Sequence, residues 1–87
     1  MNKPKPTQFT IVYKDVDIDF IESYLYRYDD LRYLPYSFTD DDQVTIYLPK
    51  DIDIKTVEEL EKTIHKEPFI VYIFVLHEGY EINFKLC

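Results

Sequence analysis

Apolar and polar residues alternate cleanly at two places in this chain. Val44, Ile46 and Leu48 alternate with Thr45 and Tyr47, and Tyr80, Ile82, Phe84 and Leu86 alternate with Glu81, Asn83, Lys85 and Cys87. A period of two puts successive side chains on opposite faces, so both stretches read as strands, 43–48 and 80–87. The β-branched and aromatic run Gln8–Tyr13 reads as another. Tyr33–Thr39 reads as a fourth, demoted to a sheet edge by Pro35, which has no N–H to give a ladder. Three consecutive aspartates, Asp40 to Asp42, make a poor strand and a good turn, so they join this edge to 43–48. Phe69–Leu76 is apolar at every position, which fits a strand covered on both faces or lying at an interface. Its uniformity hides its phase: either Phe69/Val71/Ile73/Val75 or Ile70/Tyr72/Phe74/Leu76 points away from the core.

Elsewhere the period becomes helical. Ile21, Leu25 and Tyr28 predict a helix over about 20–31, with Ile18 just ahead of it. Val57, Leu60 and Ile64 predict a second over about 57–66, ended by Pro68. Asp19 with Glu22, and Thr56 with Glu59, have the spacing of capping boxes, in which the two side chains satisfy each other's free backbone N–H groups. The element order is β-α-β-β-α-β plus one C-terminal β-strand. That order predicts an α+β fold of the ferredoxin-like, split βαβ kind: a mostly antiparallel sheet in the order 5-4-1-3-2, with two helices on one face. Residues 1–7 are polar and broken by Pro4 and Pro6, so they read as a flexible tail, and 8–87 as a single domain.

One short motif occurs twice. Lys14-Asp15-Val16-Asp17-Ile18 returns as Lys50-Asp51-Ile52-Asp53-Ile54, each copy after an apolar strand and before a helix. The recurrence suggests two β-α halves related by a pseudo-twofold axis. In the expected topology the strands before the two copies run antiparallel, so the copies fall at opposite ends of the sheet. Asp15, Asp17 and Asp19 then share one end with Asp40, Asp41 and Asp42. Asp51 and Asp53 share the other with Asp29 and Asp30.

Charge sharpens this picture. The 87 residues carry 17 acids against 10 bases, a net charge of −7. Direct binding to nucleic acid through phosphates needs a basic face, and the central strands here offer Thr10, Val12, Thr45 and Tyr47 with no Lys or Arg. A summed negative field instead favours encounter with basic partners. A chain this short buries roughly 60% of its unfolded surface, so it needs dense packing or a partner. The hydrophobic fraction of 46% and nine tyrosines and six phenylalanines supply it. The surplus of Ile, Lys, Tyr and Phe over Gly, Ala and Arg suggests an AT-rich genome, as in many phages and some Firmicutes. Cys87 is the only cysteine. It offers no internal disulfide, which fits a reducing compartment. The N-terminus has no signal-peptide pattern and the longest apolar run is too short to span a bilayer, so a cytoplasmic protein is expected, in a host cytoplasm if viral.

Candidate chemistry is sparse. Asp15, Asp17 and Asp19 match the first ligand positions of a calcium loop, but Phe20 stands where its glycine belongs and Tyr26 where its final acid belongs. His65 reads as a helix-end residue and His77 as exposed turn chemistry. No phosphate loop, zinc spacing or nucleophile constellation is present, so neither enzyme nor cofactor is expected.

Two readings remain for the ten aspartates. Aspartate favours turns and helix starts, so the acids could be local structure alone. Ten is more than two helices and three turns require, and the sharper expectation is a row of carboxylates that imitates DNA phosphates. In size, acidity and lack of motifs the chain is similar to phage-encoded DNA-mimic inhibitors, a likeness of composition that rests on no shared motif. It implies a non-enzymatic module that occupies the basic surface of a DNA-binding protein. The alternative is a structural or regulatory homodimer whose acidity serves solubility. Its expected interface is the helix-free face of the sheet, with Tyr47, Ile70, Tyr72 and Phe74.

Overall fold

The structure of the protein, a computed structural model, describes residues 7–82. Seven elements follow one another: β1 Thr7–Tyr13, α1 Ile18–Tyr26, β2 Tyr36–Asp40, β3 Gln43–Leu48, α2 Ile54–His65, β4 Ile70–His77 and β5 Tyr80–Ile82. They form an α+β domain with one five-stranded antiparallel sheet in the order β2-β3-β1-β4-β5. Read from the other edge, this is the order 5-4-1-3-2. The expected tail, but for Thr7, and the expected last strand from Asn83 onward lie outside the described residues. Thr7 itself opens β1.

Phe9, Ile11 and Tyr13 of β1 join Val44, Ile46 and Leu48 of β3 and Ile73 and Val75 of β4 in one core. Ile21, Tyr24 and Leu25 of α1 and Val57, Leu60 and Ile64 of α2 complete it. Both helices therefore cover the same face of the sheet. The helix stripes read from the sequence are the buried ones, with Tyr24 added and Tyr28 only half-buried.

Both helices start earlier than the capping-box spacing suggests. The N-cap of α1 is Asp17, whose Oδ1 accepts the Phe20 N–H at 2.9 Å, and Asp19 lies in the first turn. The N-cap of α2 is Asp53, whose Oδ1 accepts the Lys55 N–H at 3.1 Å. The second aspartate of the repeat is thus the cap in both copies, and Ile18 and Ile54 are the first helical residues. Ile18 is consequently turned outward and 46% exposed. The copies differ at their first aspartate. Asp15 has φ +64°, a left-handed conformation that aspartate tolerates better than most residues, while Asp51 keeps a negative φ. At its far end α1 stops at Tyr26, five residues short of the expected Leu31. Asp29 and Asp30 lie beyond it, where negative charge opposes the helix dipole and aspartate propensity is low. Leu31 is still buried, carried there by turns closed by Leu31 N–H to Tyr28 and Leu34 N–H to Leu31.

The strands carry two further departures. β2 begins at Tyr36, after Pro35, and leaves Tyr33 in the connection, 83% exposed. In β4 the pairing with β1 slips by one: Val12 faces Tyr72, yet Tyr13 faces Ile70. Val71 is the extra residue of a bulge, which resets the side-chain alternation. Neither expected set is therefore the outer one. Ile70, Ile73 and Val75 are buried, while Val71 and Tyr72 are exposed and Phe74 and Leu76 half-buried. The β4–β5 hairpin turns on Glu78 (φ +53°) and Gly79 (φ +86°), the pair of left-handed residues that a two-residue turn of type I′ requires. His77 is half-buried rather than loose, with Nδ1 2.7 Å from the Thr7 hydroxyl.

Candidate functional site

The acidic end of the sheet nearest α1 is built around Tyr13. Its N–H donates to the Asp42 carbonyl at 2.9 Å and its hydroxyl to the Asp41 carbonyl at 3.3 Å. The next residue, Lys14, donates its N–H to the Phe69 carbonyl at 2.9 Å. These bonds bring the β2–β3 turn beside the segment that holds Asp15, Asp17 and Asp19. The turn is tighter than the sequence suggests. Asp40 is still in β2, paired with Gln43, and its Oδ1 accepts the Asp41 N–H at 2.8 Å. Burial, then the charges of Asp42 and Asp41, raise the pKa of Tyr13, so its hydroxyl stays protonated and remains a donor.

The opposite end gathers Asp29 and Asp30, after α1, with Asp51 and Asp53, before α2. A cleft of about 200 Å³ there is lined by Tyr28 and Asp30 from the first region and by Thr56, Glu59, Leu60 and Thr63 from α2. β1 links the two ends, and the steps between its seven residues, at about 3.3 Å each, put them about 20 Å apart.

All ten aspartates are exposed. Four have local work: Asp17 and Asp53 cap helices, Asp40 closes its turn, and Asp29 pairs with Arg32 at 3.0 Å. The other six make no side-chain hydrogen bond or ion pair among the described residues. Three or more acidic, histidine or cysteine side chains placed to hold a metal ion do not occur among the described residues. No helix there is long and apolar enough to cross a membrane.

The helix-free face of the sheet is partly sealed by its own side chains. The Thr10 and Thr45 hydroxyls lie 2.9 Å apart and both residues are buried. Tyr47 reaches across to Ser37, hydroxyl to hydroxyl at 3.0 Å. Tyr72 and Phe74 lie beside each other with ring centroids 6.0 Å apart. Of the residues expected on this face, Tyr47, Tyr72 and Phe74 are there. Ile70 is not: the bulge at Val71 turns it into the core opposite Tyr13.

Among the exposed aromatics that the sequence does not flag, three belong to α1, β2 and the connection between them. Tyr26 and Tyr33 meet edge to face with centroids 6.4 Å apart, and Tyr36 donates its hydroxyl to Glu22 Oε2 at 2.5 Å. A signal was present. Tyr26 lies off the Ile21/Leu25/Tyr28 stripe, and Tyr33 and Tyr36 flank Pro35, so none had an assured place inside.

Comparison with protein-family models, characterised proteins and solved structures finds no match to this chain.

Proposed function

We propose that this protein is a small acidic, non-enzymatic binding module. It acts as an inhibitor that presents carboxylates in place of DNA phosphates to the basic surface of a DNA-binding protein. The observation that carries this reading is the exposure of all ten aspartates, six of them without a local side-chain partner among the described residues. Helix capping and turn formation account for only part of the acid. The mechanism is competition: exposed carboxylates pair with Lys and Arg side chains that otherwise bind phosphate. The scaffold is of the ferredoxin-like, split βαβ kind with one added strand, a reading supported by the strand order and by the two helices on one face. A phage origin, acting in a host cytoplasm, suits the composition.

The test is capture from host lysate at low and high salt, followed by competition with duplex DNA. A basic DNA-binding protein recovered only at low salt, and released by DNA, supports inhibition by mimicry. Recovery indifferent to salt and DNA overturns it, since exposed ion pairs are screened.

A second reading is a homodimer through the helix-free face. The exposed, adjacent Val71 and Tyr72 favour it, 51% and 47% accessible beside Phe74. Aromatic residues so placed are typical interface anchors.

A further inference from the structure

Where α1 passes the β2 edge, Glu22, Ser23, Tyr26 and Tyr36 line an open hollow of about 450 Å³. Its carboxylate is held in place. The Tyr36 hydroxyl donates to Glu22 Oε2, and that bond first, then burial and the Glu22 charge, raises the Tyr36 pKa and keeps the donor protonated. A carboxylate offers about four acceptor sites, so this single bond leaves Glu22 able to accept more. The neighbouring Tyr26 is 57% exposed. It already attracts one cation: the Arg32 guanidinium carbon lies 4.9 Å from its centroid. Arg32 is not part of the hollow's lining. It is tied down by Asp29 at 3.0 Å and by the Tyr26 carbonyl, which accepts its Nε–H at 2.8 Å. Asp29 also offsets its charge, so a second cation near Tyr26 meets little net repulsion.

We infer that this hollow receives one arginine side chain from a basic partner, the guanidinium lying on the Tyr26 ring and donating to the Glu22 carboxylate. Arginine fits better than lysine because its planar fork both stacks on a ring and donates two parallel bonds to a carboxylate. The net charge of −7 supplies the long-range attraction. The inference rests on the basic partner of the proposed function, but it places an anchoring contact on tyrosines, apart from the aspartate clusters.

The probe is the peptide acetyl-Gly-Arg-Gly-amide, titrated into isotope-labelled protein while amide NMR shifts are followed. The control peptide carries citrulline, the neutral isostere. The arginine peptide should give saturable shifts at residues 22–26 and 36, and the citrulline peptide should not. Tyr26→Leu should weaken binding roughly two- to fivefold, as expected for a cation–π contact at an exposed site, and Glu22→Gln by roughly as much, as expected for an exposed ion pair. Tyr26→Phe, which keeps a ring, should bind nearly as wild type. Absence of a saturable shift at the hollow, or equal affinity in wild type, Glu22→Gln and Tyr26→Leu, overturns the inference. Shifts confined to the Asp15–Asp19 and Asp40–Asp42 segments also overturn it, while leaving the basic-partner reading intact. Hollow binding alongside a salt-insensitive lysate result would do the opposite.

Discussion

Thr10 and Thr45 share a hydrogen bond 2.9 Å long on the face of the sheet that has no helix over it, and both are buried. They are directly opposite each other in the β1–β3 ladder, with Phe74 on the other side of Thr10. A polar pair is thus sealed beneath the side chains that surround it. Replacing either threonine by valine keeps the shape but strands the other hydroxyl, at a cost of about 1–3 kcal/mol. The double variant Thr10→Val/Thr45→Val removes both groups and should recover most of that loss. Urea unfolding of the four proteins gives the coupling directly, and additive losses would mean that the hydroxyls do not depend on each other.

Asp17 and Asp53 separate capping from charge. Alanine at either position should cost about 0.5–2 kcal/mol, whereas asparagine caps as well as aspartate and should cost little. Asp19→Ala should do less than Asp17→Ala, because the Asp17 oxygen holds the Phe20 amide. Thermal unfolding of these variants settles the order.

Neutralising Asp40, Asp41 and Asp42 to asparagine tests the exposed turn as a partner surface. The association rate with a basic partner should fall, most visibly at low salt, while stability changes little. Stopped-flow or surface-binding kinetics at two ionic strengths read the effect. An unchanged rate would remove this end from the binding surface.

Glu61 sits on the buried side of α2. Its pKa is raised from 4.5, chiefly by burial, with His65 lowering it and Glu58 raising it. An acid whose folded pKa exceeds its unfolded one adds stability only while protonated, so the contribution is complete below about pH 4.5 and is lost as pH rises through the folded pKa. Glu61→Gln should therefore stabilise the protein at pH 7 relative to wild type. The difference should shrink toward zero below pH 4, measured as the shift in denaturation midpoint at the two pH values.

On the sheet, Ile70→Ala should cost about 2–5 kcal/mol as a core truncation. Tyr72→Glu, on the outer face, should leave the fold intact. If the protein pairs through that face, the same change should dissociate it, as a fall in mass by light scattering at matched concentration would show.

Strands β1 and β3 and the buried stripes of both helices were legible because their signals are local. Val44, Ile46 and Leu48 show their face by alternation alone, and the inferred strand order follows from the β-α-β-β-α-β succession of elements. The sequence misplaces the helix starts because two cap-forming residues compete at each one. Asp17 wins over Asp19 and Asp53 over Thr56, once the preceding chain has turned. The aromatic hollow was invisible for a different reason: Glu22 and Tyr36 lie on separate elements and meet only when α1 settles beside the β2 edge.

The alternation along β1 and β3 and the doubled Lys-Asp-x-Asp-Ile motif therefore belong to the chain itself, since a period and a cap are properties of a few adjacent residues. The fate of Phe69–Leu76 does not. A run apolar at every position has no phase, and Ile70 enters the core while Tyr72 faces out only because β4 gains Val71 against β1. The charge follows the same division. Ten aspartates in turns and at helix starts are written in the sequence, but their gathering at two ends depends on antiparallel strands that bring Asp41 and Asp42 against Tyr13.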